Sequence, residues 1–385
     1  MKNETILFPQ HSQANHYQFS KNINGTLILS KYTSDEDIVH IPAEIDGMTV
    51  TSIAPEAFAE CSAVVSVILP DSIQKIGYET FRNCTALETI TLSSSLTEID
   101  SGTFCGCTSL KTVCFPDELE IIGDCAFKNC TSLTKLHLPS HLKTINIKAF
   151  QGCNALCEIH LPDTIERVGE NAFDRTGLYE NADNGIVYID NVLYKYKGSL
   201  PTSGTITVRN RTKIIADNAF ADCTGLTQIQ LPAGLTSIGS FAFYNCTSLT
   251  YIHIPESVNH LMWGAFFGCT YLKSISLPKD ITTLDGTFCG CTHLSNVDLP
   301  ENAVTLNDTF RGCVSLSEID LPSTLQTIGY GVFAQCRHLN RVNIPQSVVH
   351  FGQDIFSGCH PHLVVYKNSQ AEKFAALHHL DFIRI

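Results

Sequence analysis

Thirteen phenylalanines recur on a near-constant beat, and that beat restricts the possible folds more than any other feature of the chain. They are Phe58, Phe81, Phe104, Phe127, Phe150, Phe173, Phe220, Phe243, Phe266, Phe288, Phe310, Phe333 and Phe356. The five steps from Phe58 to Phe173 are each 23 residues. The next step is 47, two periods plus one; after Phe266 two steps shrink to 22 before 23 returns. A fixed period in this range marks a stacked-repeat architecture, in which each unit contacts only its neighbours.

Two further marks keep the same time. A strand-like segment ends in Leu/Ile-Pro, as in Leu136-His137-Leu138-Pro139 and Ile252-His253-Ile254-Pro255. An Ile-Gly pair follows, as in Ile122-Gly123 and Ile238-Gly239. The alternation before the proline predicts a short strand with one side buried. Proline has no N–H to give a ladder, so it stops the strand. The glycine is expected to permit a tight corner. The Ala-Phe-x-x-Cys stretch is expected to return the chain as a helical turn or a short 3₁₀ piece, with Phe and Cys inward. No single unit can bury its apolar side, whereas stacked units bury theirs on each other through parallel ladders. With 44% hydrophobic and 16% charged residues, the chain has enough apolar side chains for such a core. Strands about 4.8 Å apart would stack about thirteen coils into a rod on the order of 60 Å long.

Twelve of the 17 cysteines share one repeat position: Cys61, Cys84, Cys107, Cys130, Cys153, Cys223, Cys246, Cys269, Cys291, Cys313, Cys336 and Cys359. Adjacent coils would bring these within disulfide range, but identical geometry in every coil argues for a ladder of buried thiols. Cys105, Cys114, Cys125, Cys157 and Cys289 lie outside that position. Cys105 and Cys289 are read as exposed, which suits a reducing compartment. The Cys105-Gly106-Cys107 and Cys289-Gly290-Cys291 pairs fall short of a zinc knuckle, because the second cysteine of each belongs to the core. Asn83-Cys84-Thr85, Asn129-Cys130-Thr131 and Asn245-Cys246-Thr247 have the form of glycosylation sequons, but they fall on the corner, where Asn and Thr serve turns.

The formal net charge of -13 would repel a phosphate backbone, so nucleic acid is a poor partner. Apolar runs such as 63–69 are strand length, and no transmembrane segment is expected. At the N-terminus Lys2 is soon followed by Glu4, and Pro9 breaks the apolar run, so no secretory signal is read and a cytoplasmic location is expected. H-E-x-x-H, G-x-S-x-G, the P-loop and the dinucleotide fingerprint are all missing from the sequence, so neither an enzyme nor a cofactor is expected.

The repeat resembles the BspA-like (Treponema-type) leucine-rich repeat over about residues 37 to 366. The resemblance implies a right-handed leucine-rich-repeat solenoid with a parallel β-sheet, about thirteen coils of 22–23 residues. Residues 1–36 resemble the family's N-terminal segment and cap hairpin, and 367–385 its C-terminal cap helix and strand. It also implies partner binding or adhesion, often at a cell surface. Between 174 and 212 one repeat is degenerate: its cysteine is missing, and two β-rich runs flank Asp190-Asn191 as a hairpin. Tyr188, Tyr194 and Tyr196 on that hairpin would either pack on the solenoid or offer a contact patch.

Outward strand positions vary where inward ones do not. Lys135, His137, Glu158, His160, Tyr251, His253, Asp298, Glu318, Asp320 and Arg341 are the candidate partner-binding residues on this face. His137 and His160, with Glu158 beside them, have the composition of a divalent-metal site, though surface histidines more often hold none. Asp298, Glu318 and Asp320 read as an acidic patch. The function expected is a non-catalytic scaffold for a protein or glycan partner; the alternative is a structural, self-assembling repeat protein with no specific ligand.

Overall fold

The computed structural model describes residues 5–6 and 16–385. The expectation about a signal segment rests on residues outside this set. The chain folds as two compact units, Met1–Asp183 and Asn184–Ile385. Each is a parallel β-solenoid. Together they make about 16 turns, more than the thirteen phenylalanines suggest. The additional turns are built on Tyr32, on Tyr196 and on the C-terminal strands.

In the first unit, the outward-facing ladder runs in register through Ile38–His40, Ser66–Ile68, Thr89–Thr91, Thr112–Cys114, Lys135–His137 and Glu158–His160. A second ladder carries the Ile of Ile-Gly, through Glu98–Ile99, Ile121–Ile122, Thr144–Ile145 and Arg167–Val168. At the start, Tyr17–Lys21 lies antiparallel on Leu27–Tyr32, which pairs parallel with Met48–Ile53. The second unit opens with the hairpin Gly185–Ile189 and Val192–Lys197, whose second strand joins the Ile-Gly ladder beside Ile214–Ile215. Its outward ladder runs from Thr205–Thr207 to Arg341–Asn343, His362–Val365 and Phe382–Arg384. Helix Gln370–Leu377 caps it, with Ser369 accepting the Glu372 N–H and Ala371 and Ala375 buried.

The phenylalanine column is buried throughout, with Phe356 the most exposed at 8%. Rings stack at 4.9 to 5.5 Å from Phe58 to Phe173 and at 5.2 to 6.1 Å from Phe220 to Phe356. Offset stacking of this kind adds to simple burial. Tyrosine completes each column: Tyr32 lies 4.8 Å from Phe58, and Tyr196 lies 6.0 Å from Phe220.

The corner differs from the expected helical turn. Each coil has i→i+3 bonds, such as Cys107 N–H to Phe104 O, but left-handed residues interrupt them. The positions two before and two after each phenylalanine have positive φ, as in Cys125 (55°) with Asn129 (60°), and Lys148 (56°) with Gly152 (79°). The corner is therefore a run of overlapping β-turns, and its main-chain N–H groups point along the stack. The Phe127 N–H meets Ala149 O at 2.7 Å and the Asn129 N–H meets Gln151 O at 2.8 Å. Left-handed φ explains the recurrent Gly and Asn before the cysteine, including the apparent sequons.

The glycine of Ile-Gly has a different role from the one expected. Gly169 is absent from the positive-φ set, but a Cβ there would stand 2.6 Å from Asn146 C and Ile147 N in the preceding coil. Close backbone approach requires glycine at this position.

The cysteine column consists of free thiols. Ten of the twelve thiols donate to the phenylalanine carbonyl of the preceding coil, as Cys130 does to Phe104 O and Cys153 to Phe127 O, both 3.1 Å. Cysteine suits the position because it is small, apolar and still a donor. Cys61 and Cys223 are only half-buried. In the degenerate repeat Thr176 takes the cysteine position, donates to Phe173 O at 2.6 Å, and caps the short helix Gly177–Glu180.

Candidate functional site

Strand geometry presents alternate residues, and each three-residue strand buries its middle residue only. In the first unit Leu136 and Ile159 point inward, while Lys135, His137, Glu158 and His160 are exposed. The register sets His137 against His160 and Lys135 against Glu158, with Cys114 beside His137 on the other flank. The Glu158 carboxylate reaches the His160 ring at 3.5 Å. Thr89, Thr91 and Thr112 extend the row with short hydroxyls. The His137–His160–Glu158 grouping does not qualify as a metal centre: among the described residues no three His, Cys, Asp or Glu side chains converge to hold an ion. In-register neighbours project side by side from one face and so do not surround a point.

In the second unit Tyr251, His253, Asp298, Glu318, Asp320 and Arg341 are likewise exposed. His253 and Asp298 share a row with Ser276 between them, so they stand two strand spacings apart. The acidic patch is partly answered from within. Glu318 lies against Arg341 in register, and Asp320 Oδ1 accepts from Asn343 Nδ2. Arg341 Nε in turn donates to Asn343 Oδ1 at 3.0 Å. Tyr251, 49% exposed, is the large aromatic of this face.

The hairpin tyrosines require a correction. Tyr194 is 1% exposed, so no partner reaches it. Tyr196 occupies the phenylalanine column and its N–H donates to Ala219 O, as a corner phenylalanine would. The Arg209 guanidinium covers the Tyr188 ring at 3.8 Å, and the Tyr188 hydroxyl accepts the Arg209 N–H. These rings are packing elements of a coil in which tyrosine replaces phenylalanine. Beside the hairpin Tyr196, Ser199, Pro201 and Thr205 line a shallow groove of about 360 Å³.

Two features escaped the pattern. Phe241, Tyr244, Trp263 and Phe267 form an aromatic cluster on the outer corner, with Phe241 and Trp263 4.8 Å apart. Phe241 lies over Gly264 and Trp263 over Gly286, because glycines at those left-handed positions leave room for a ring. At the Phe241 position the other coils carry polar or small residues, and that departure was the available signal. Cysteine exposure was the second. Cys105 and Cys289 are half-buried, and Cys114 and Cys157 are the exposed thiols. Cys114 takes an outward strand position, whereas Cys105 is partly enclosed by the corner.

Burial pushes column thiols such as Cys84 and Cys291 out of the reactive range. Cys84, Cys269 and Cys336 rise to about 12, and Cys223 and Cys359 to about 11. Thiols held protonated in this way are neither nucleophiles nor metal ligands.

The sequence of the repeat places it among known proteins. The family described as BspA type leucine rich repeat region (six copies) matches residues 51–179, 120–202, 187–308 and 284–374. The chain belongs to this family. Solved structures similar to it include a leucine-rich repeat protein from Bacteroides ovatus, at 25% identity over 96% of this chain and 98% of that one, TM-score 0.43. A leucine rich cell surface protein from Faecalibacterium prausnitzii is 28% identical over 87% and 94%, TM-score 0.38. The pneumococcal vaccine antigen PcpA is 20% identical over 100% and 99%, TM-score 0.41. No curated protein matches the chain. Among the described residues no helix is long and apolar enough to cross a membrane.

Proposed function

We propose that this BspA-type repeat protein is a non-catalytic scaffold that holds a protein or glycan partner on its outward strand faces. One observation carries the reading. At every outward strand position the side chain is exposed or half-exposed, while the intervening residue is buried and constant in character. The core thus fixes spacing and register, and the residues that could touch a partner vary in type from coil to coil. The chemistry they offer is mixed: hydroxyls, amides, imidazoles, both charges and Tyr251. A neutral or mixed polar ligand with repeated hydrogen-bonding groups matches such a row. The unpaired thiols, including exposed Cys114 and Cys157, favour a compartment that keeps cysteine reduced. A related structure named as a cell surface protein points the other way, to display outside the cell.

The test is an array of glycans and proteins probed with the wild-type chain and with a variant carrying Lys135→Glu, Glu158→Lys, Glu318→Lys and Arg341→Glu. All four side chains are exposed, so the fold should tolerate the changes. Partners held by the face should fall at least tenfold in retention. Equal retention by both proteins would place binding elsewhere.

A further inference from the structure

The ladders and the corner of the second unit do not end on the same coil. The outward ladder continues past the last corner to His362–Val365 and Phe382–Arg384. The Ile-Gly ladder ends at His350–Phe351, where Phe374 of the cap helix stacks on Phe351 at 4.4 Å. The corner ends at Asp354, Phe356 and Gly358.

In five coils of the first unit and six of the second, the three equivalent residues donate main-chain N–H groups to the next corner. The last such set runs from Gly331 to Gln353 O (3.0 Å), from Phe333 to Ile355 O (2.9 Å) and from Gln335 to Ser357 O (2.7 Å). Asp354, Phe356 and Gly358 hold the same conformation, with φ of 55° at Asp354 and 76° at Gly358. No corner follows them. Asp354 and Phe356 border a cavity of about 790 Å³ that Phe374, Leu377 and Leu380 also line. Phe356 is stacked on one side by Phe333 at 5.6 Å, and its ring forms part of the cavity wall.

We propose that this open corner is a docking site for an extended segment of a partner polypeptide bearing an aromatic side chain. Donors on alternate residues match carbonyls on alternate residues, the pattern by which a strand is added to an open edge. Each interior coil already shows the match, because its donors are met by a segment in which alanine, threonine, valine or isoleucine precedes a phenylalanine whose ring continues the column. The slot is thus the ordinary coil-to-coil contact with its second half missing. A second copy of this chain is not the occupant assigned. Its own first corner is engaged, with Ala57 O accepting the Tyr32 N–H and Tyr17–Lys21 paired on Leu27–Tyr32.

The probe is a synthetic peptide with the sequence of residues 329–337, its cysteine replaced by serine, titrated into the full chain. Amide hydrogen exchange at Asp354, Phe356 and Gly358 is the readout. Saturating peptide should slow those three amides at least tenfold, and the same peptide with its phenylalanine replaced by alanine should not. Unchanged exchange at millimolar peptide overturns the proposal, as does equal protection by the alanine peptide. Protection that appears without peptide as protein concentration rises, together with a larger species in sedimentation, assigns the slot to a second copy and overturns the partner assignment.

Discussion

Replacing Phe127 by alanine tests the central physical claim, that the ring column carries the first unit. Phe127 is fully buried, with Phe104 at 5.1 Å, Phe150 at 5.3 Å and the edge of Phe115 at 5.7 Å. A buried phenylalanine removes on the order of 150 Å² from water, worth about 4 kcal/mol at roughly 25 cal/mol per Å². The loss of stacking and the cavity left behind place the change at about 3–5 kcal/mol. Phe356→Ala is the internal comparison. That ring has one stacked neighbour and is 8% exposed, so its loss should cost about 1–2 kcal/mol less. The assay is amide hydrogen exchange at Phe104 and Phe127 for the first variant and at Phe333 for the second, amides whose N–H groups bond to Ala126 O, Ala149 O and Ile355 O. A loss of about 3 kcal/mol corresponds to roughly a hundredfold faster exchange through local opening. A cost below about 1 kcal/mol, or one smaller than that of Phe356→Ala, would refute the idea that the column is the core.

Other perturbations follow from single contacts. Thr287 has a buried hydroxyl with no hydrogen-bond partner, where most coils carry alanine; Thr287→Ala should leave stability unchanged or raise it by up to about 1 kcal/mol in urea unfolding. Gly169→Ala forces a Cβ into the backbone at Asn146–Ile147 and should cost about 1–3 kcal/mol, whereas Lys148→Gly at a left-handed position should be neutral or stabilising by up to about 1 kcal/mol. A thiol reagent at pH 8 should label Cys114 and Cys157 quickly and leave the buried column unlabelled until the chain is unfolded. Burial raises the folded pKa values of column thiols such as Cys84 and Cys269 above the ordinary value, so their contribution to stability is complete below about pH 9. It should be lost as pH climbs from 9.0 toward about 12, and circular dichroism should show alkaline unfolding in that window.

Much of this architecture was legible because the period, the buried triplets and the phenylalanine column all reflect the same requirement, that like side chains meet across coils. The sequence concealed whatever depended on backbone conformation. Nothing in Lys148 or Cys125 announces a left-handed residue; the neighbouring coils' shared carbonyl direction imposes it. Tyr196 stands 23 residues after Phe173, so the beat itself marked a place in the column. Its hydroxyl drew attention to contact, but the ring does the packing and the hydroxyl donates to Ser199 O at the rim. On the outward face, positions were readable and neighbours followed from the register. The pairing of Asp320 with Asn343 required coordinates, because amide orientation is not a property of spacing.

The chain's single tryptophan, Trp263, sits 43% exposed on the outer corner of the second unit, with Phe241 against it. Indole emission therefore reports one unit alone, and the other is spectroscopically silent above 295 nm excitation. Any unfolding curve recorded by that emission describes half of the molecule, and a far-ultraviolet signal that fails to overlay it would register the other half separately.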